Sequence, residues 1–232
     1  MSSSPSDDVV TVVGSAYFQP IADLVQNLLR VKAGGPFPGG SGVRENGYSA
    51  SVVILLVAML ESFTSRLQFV RNSELVAGGR STPELLAEYF PDLPTKNDLV
   101  EIFLLRNVVV HNHIWHLDVS AYEAELRTIS TPRDLGFRPN KHYGDVVDVE
   151  SRRTRMLSLN VNPTAVDRRD VLTVFRVVWK TLEFMNKKNF GHTPLAGRTV
   201  GFFQKHRQFD ELIGELERDI GKGLGSDSLA LQ

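Results

Sequence analysis

The chain has 232 residues, 42% of them hydrophobic and 23% charged, the balance of an ordinary globular protein. A formal net charge of −1 excludes non-specific coating of nucleic acid by a uniformly basic surface, while leaving room for a local basic groove. The absence of cysteine excludes disulfides, thiolate zinc sites and cysteine nucleophiles, and is compatible with a reducing cytoplasm.

In chain order, residues 1–12 begin "MSSSPSDD". They lack the basic-then-apolar pattern of a secretory signal and are expected to fray. A first helix is predicted over 18–32, with Pro20 in its first turn and Ile21, Leu24, Val25, Leu28 and Leu29 at helical spacing. "AGGPFPGGSG" at 33–42 breaks it, because so many glycines and prolines cannot sustain regular structure. The second helix is predicted over 48–70, with Asn46 or Ser49 as cap. Its eleven-residue apolar run, "ASVVILLVAML", is closed at once by Glu61. A membrane span needs roughly 20 such residues, so the run reads as a buried core helix. A short helix over 83–89 opens on Pro83. A fourth, over 96–112 with Thr95 as N-cap, carries "LLRNVVVHNHIW" in its second half.

After His116 the period shortens. "DVVDVE" (145–150) and "RMLSLNV" (155–161) alternate apolar with polar and read as a small hairpin around "SRRT". Thr164 or Asp167 then opens a long helix to 188, with Val171, Val174, Phe175, Val178, Leu182 and Met185 on one stripe. A last helix carries Phe209, Leu212, Ile213, Leu216 and Ile220, and the glycine-rich residues 221–232 are expected to fray. The fold class expected is an all-α bundle with a small β-hairpin insertion at about 117–163, forming one domain over 1–232. The chain reads as cytoplasmic, with no membrane partner.

The fourth helix raises the functional question, since it sets Arg106, Asn107, His111 and His113 among apolar residues. Asn107 and His111 are four apart and share a face. Arg106 lies about 140° round the helix from His111, but its long stem can reach the same end. Two readings stand at this point. Arg106 pairs with an acid such as Glu61 of the second helix while the histidines cap the last carbonyls; or the group is an active site.

"RNVVVH" at 106–111 has the Arg-x4-His form, with asparagine directly after the arginine, and so resembles the motif of the HEPN superfamily of α-helical ribonucleases and toxins. The likeness covers roughly 14–115 and 164–188, and Glu61 in "MLESF" matches the acidic residue often carried on a preceding helix of that family. The resemblance implies an antiparallel helical bundle and a metal-independent endoribonuclease with no cofactor. Arg106, Asn107 and His111 would be its catalytic residues, with Glu61 and His113 in support. The 2′-hydroxyl of the RNA would attack the adjacent phosphate, leaving a 2′,3′-cyclic phosphate and a 5′-hydroxyl. Histidine, with an unperturbed pKa of roughly 6.5, suits general acid–base work. Arginine offers a planar fork to phosphate oxygens. The family also implies a homodimer, an RNA substrate, and service as a toxin or phage-defence effector with an antitoxin or defence partner. In one toxin branch a tyrosine follows the histidine by two residues, where this chain has His113; that puts regulation by tyrosine modification in doubt. The alternative from another class is a catalytically inactive HEPN domain that binds nucleotide or RNA, or docks a partner protein.

Competing motifs are weaker. His111, His113 and His116 invite zinc, but histidines two apart sit about 200° apart on a helix and do not converge unless it ends there. No metal is expected. "HNH" here ends an apolar helix and matches the nuclease family of that name in spelling only. Arg152, Arg153 and Arg155, with Arg168 and Arg169, form the densest basic cluster. It is either a solvated face or a patch that tracks RNA phosphates. Trp115 and Trp179 read as core or interface anchors.

Overall fold

A computed structural model of the chain describes residues 13–33, 42–70, 80–110, 115–120, 123–128, 143–148, 150–188, 195 and 198–227. These residues are mostly helical, with small antiparallel sheets. After a 3₁₀ turn, α1 (Phe18–Arg30) buries Ile21, Ala22, Val25 and Leu28, the three- and four-residue spacing of one helical face. It ends two residues earlier than the sequence suggests. Val31 is extended, and its carbonyl accepts a 3.0 Å hydrogen bond from Arg168 Nη2.

The second helix, α2 (Val43–Val70), begins five residues before its predicted start. A cap at Asn46 or Ser49 implies the later start, yet Glu45 lies within the helix, buried against Arg168 at 2.7 Å. Asn46 does not cap either. Its amide donates to the carbonyls of Pro163 (2.8 Å) and Val166 (3.1 Å). Partners more than a hundred residues away hold these polar groups in helical form. Val52, Val53, Leu56, Val57, Met59, Leu60, Phe63 and Leu67 are all fully buried on α2. By length and composition alone α2 could cross a membrane, but half of its most apolar window is buried in the fold. It packs against α1 and against the helices over 96–110 and 168–188.

The short α3 (Thr82–Tyr89) is fixed by Glu84, whose carboxylate accepts from the amide and hydroxyl of Ser81, each at 2.8 Å. In α4 (Lys96–Val110) one face, with Leu99, Ile102, Phe103 and Leu105, joins the main core. The other, with Leu104 and Val108, packs on Val147 and Val161. Two separate apolar partners explain why the helix is apolar nearly all round. Thr95 stands before α4, fully buried, with its hydroxyl 2.7 Å from that of Thr181.

Strands β1 (Trp115–Ser120) and β2 (Glu123–Thr128) form an antiparallel hairpin that the sequence reading missed. A single turn, α5 (Tyr143–Val146), leads to β3 (Val147–Asp148), paired antiparallel with β4 (Arg153–Thr154). The predicted hairpin is therefore right in place but wrong in extent, since 155–161 forms no strand and β4 falls within the predicted "SRRT" turn. Arg152 (φ 53°) and Ser158 (φ 56°) turn the chain in the left-handed region. The amides of Met156 and Leu157 go to the carboxylate of Glu101 rather than to a ladder.

The long α6 (Arg168–Lys188) buries every residue of the predicted stripe. Of the two candidate caps, Asp167 serves. Its Oδ1 accepts from the amides of Arg169 (2.7 Å) and Asp170 (3.2 Å), and Asp170 Oδ2 accepts from the amide of Asp167 (3.0 Å). A third hairpin, β5 (Thr199–Phe202) with β6 (Lys205–Gln208), lies on α1. The Gln19 amide pairs with both backbone groups of Gly201, at 2.8 and 3.0 Å. Phe209 packs its ring on Phe18, Phe175 and Trp179, ahead of α7 (Glu211–Asp227). The fraying expected from residue 221 is thus corrected, because the helix continues through 227. Its glycines each cost about 1 kcal/mol relative to alanine but do not forbid helix. Residues 1–12 and 228–232 lie outside the described residues.

Candidate functional site

Where α2 and α4 meet, Glu61 and Arg106 form an ion pair, Nη2 donating to Oε1. Both side chains are partly open to solvent, 22% for the arginine and 36% for the glutamate. The guanidinium also stands over the ring of Phe103, one turn earlier on α4, at 5.6 Å from its centroid. Arg106 is therefore oriented from two sides, by a carboxylate on the neighbouring helix and by an aromatic face on its own. Asn107 is half-buried beside it. The predicted catalytic His111 and the supporting His113 lie at 111–114, outside the described residues; of the three histidines weighed for zinc, only His116 falls in a described element, β1.

A chemical consequence follows from the pair. A guanidinium has five donors, and Glu61 engages one nitrogen of the fork. The partly exposed remainder is free to meet a phosphate oxygen. The carboxylate that orients the arginine also neutralises its charge when no anion is bound.

The basic cluster divides on inspection. Arg153 Nη1 donates to the Ser158 carbonyl and Arg155 Nε to the Gly144 carbonyl, both at 2.7 Å, so each braces the segment around β3 and β4 while remaining exposed. Arg152 holds the left-handed turn between the two strands. Arg169 is exposed. Arg168 does not belong to the patch. It is buried, bonded to Glu45 and the Val31 carbonyl, and paired with Asp219 of α7. It ties the ends of α1, α2 and α6 to the middle of α7. Trp179 is a core residue, as expected, with the Arg198 guanidinium 5.0 Å from its ring.

Besides Glu45, two buried acids were not singled out from the sequence. Glu101, 2% exposed, accepts from the amides of Met156 (2.9 Å) and Leu157 (2.8 Å) and so fastens the β3–β4 segment to α4. Asp170 accepts from the amide and side chain of Asn160, at 3.0 and 2.8 Å. Burial raises its pKa above the ordinary carboxylate value, against the lowering effect of the Asn160 hydrogen bond. Asp98, one turn before Glu101, is also raised, first by desolvation and then by the charge of Glu101. The signal for Glu101 was present, since a glutamate inside "LVEIFLL" on an all-apolar helix needs a buried partner. Among the described residues no three histidine, aspartate or glutamate side chains are grouped to hold a metal ion.

Comparison with known proteins gives no match of the chain to a family model, a curated protein or a solved structure.

Proposed function

We propose that the chain is a metal-independent endoribonuclease of the HEPN type, an antiparallel helical bundle in which Arg106, Asn107 and His111 act on RNA. The observation that supports it best is the Glu61–Arg106 pair. The motif arginine sits in the last turns of α4, oriented by an acid from the preceding apolar helix and still partly open to solvent. In this reading His111 moves the proton of the attacking 2′-hydroxyl or of the leaving 5′-oxygen, and Arg106 stabilises the charge on phosphorus. Asn107 orients the histidine or the phosphate, and His113 supports it. Arg152, Arg153 and Arg155 offer charge to the RNA backbone, Arg153 and Arg155 while bracing their own loop. The active unit is a homodimer, because one histidine cannot hold opposite protonation states on both sides of a phosphate. Its setting is cytoplasmic, as a toxin or defence effector with an antitoxin or defence partner.

A second reading has its own support in the same pair. Arg106 is already bonded to Glu61 and stacked on Phe103, which suits a helix tie in an inactive domain that binds nucleotide or RNA, or docks a partner. One assay separates the two. The purified chain should cut single-stranded or structured RNA in the presence of EDTA, and Arg106→Ala and His111→Ala should each abolish cleavage without unfolding the protein. A requirement for a divalent ion, or cleavage that survives both substitutions, overturns the nuclease reading.

A further inference from the structure

The opposite end of α2 carries a cleft that the nuclease reading does not use. Between α1 and the first turns of α2 lies a space of about 520 Å³, and its lining includes Asn27, Arg30, Arg44, Gly47, Tyr48 and Ser51. Gly47 and Glu61 are fourteen residues apart on one helix, so the cleft is about 21 Å from the Glu61–Arg106 pair at 1.5 Å per residue.

Its charge is one-sided. No acid lines it. Elsewhere Arg80, Arg106, Arg168, Arg176, Arg207 and Arg218 each pair with a carboxylate. Arg30 and Arg44 have none among the described residues. Arg30 makes only a long 3.5 Å contact with the Asn27 side chain and lies 5.4 Å from the ring centroid of Phe203. Glu45, the acid nearest in sequence to Arg44, is buried against Arg168 and neutralised there. Asp23, one turn before Asn27 on α1, accepts from Gln19. The first turn of α2 adds the positive end of its helix dipole.

The other lining groups suit a ligand larger than a bare ion. Tyr48 gives a half-buried aromatic wall, and Asn27 and Ser51 give neutral polar groups. A Cβ added at Gly47 would meet no atom within 4 Å, so the space in front of it is open. The volume falls in the range of small-molecule sites. Two guanidiniums with unsatisfied forks are suited to bidentate binding of phosphate oxygens.

We propose that this cleft binds a small phosphorylated molecule, its phosphate held between Arg30 and Arg44 and its remaining body against Tyr48. The proposal is independent of the nuclease reading. Calorimetric titration of the full chain with inorganic phosphate, pyrophosphate and ATP tests it. At least one should bind saturably, and Arg30→Gln and Arg44→Gln should each weaken binding about tenfold or more. Gly47→Asp should abolish it by charge alone, since the new side chain enters open space, while Arg80→Gln, outside the cleft and paired with Glu88, should leave it unchanged. Circular dichroism confirms that each variant is folded. The proposal is overturned if none of the three probes binds at millimolar concentration, or if binding is indifferent to all the cleft variants. It is also overturned if the cleft variants weaken only RNA binding, for the arginines would then be a track for the RNA backbone.

Discussion

Replacing Arg106 by alanine removes a guanidinium with two partners, the Glu61 carboxylate and the Phe103 ring. Because the paired side chains are 22% and 36% exposed, solvent screens the ion pair, which then contributes about 0.5–1 kcal/mol. The contact with the ring adds about 0.5–1 kcal/mol. The expected loss is therefore about 1–2 kcal/mol, against the roughly 5–15 kcal/mol that keeps a domain folded. For a chain of this length the melting temperature should fall by about 2–8 °C. A double-mutant cycle with Glu61→Gln should return a coupling of about 0.5–1 kcal/mol. The same substitution removes the donor assigned to the phosphate, so RNA cleavage should drop by about 10²–10³-fold or more. Denaturant unfolding and a chelator-treated RNA assay on the same preparations measure both effects. A stability loss above about 4 kcal/mol would show a structural tie of a kind that partial exposure does not allow. Full activity with little stability lost would remove Arg106 from the chemistry.

Glu101→Ala should destabilise the protein by about 2–4 kcal/mol in urea unfolding, because two backbone amides lose a charged acceptor, although water can reach the exposed Met156; a loss under about 1 kcal/mol would refute the clamp. Asp98 binds its proton more tightly in the folded chain than its ordinary value of 3.8 implies. Its stabilising share is therefore present at low pH and is lost as pH rises from about 4 through the raised folded value, and Asp98→Asn should flatten that fall in a pH series of unfolding midpoints. Asp92, held low by its hydrogen bond to Lys188, acts in the opposite sense and should be unaffected by that substitution. The composite-site reading expects a dimer in sedimentation, with heterodimers of wild type and His111→Ala showing low activity; a monomer that cuts RNA at full rate contradicts it.

The helices were legible where burial follows sequence period. The stripe from Val171 to Met185 and the buried face of α1 stand as spacing implies. The start of α2 was not legible, because Glu45 and Asn46 owe their helical place to Arg168, Pro163 and Val166, far away in sequence. The β5–β6 hairpin was hidden for a local reason. Its tip is Phe203–Gln204, both at positive φ, where glycine or asparagine is the usual signal. The alternation in "WHLDVS" did mark β1 and went unread. At the candidate site, Glu61 and Arg106 were both named from the sequence and do meet. The basic cluster was drawn too widely, since nothing local distinguishes buried Arg168 from exposed Arg169. Burial by Glu45 and Asp219 is a property of the fold alone.

The most direct test of the nuclease account is the fate of the RNA's own 2′-hydroxyl. A labelled oligoribonucleotide and its fully 2′-O-methylated copy are incubated with the purified chain in EDTA, and the ends are identified by mass spectrometry. The account predicts cleavage of the unmodified strand alone, leaving 2′,3′-cyclic phosphate and 5′-hydroxyl ends. Cutting of the methylated strand, or 5′-phosphate ends on the natural one, would contradict it.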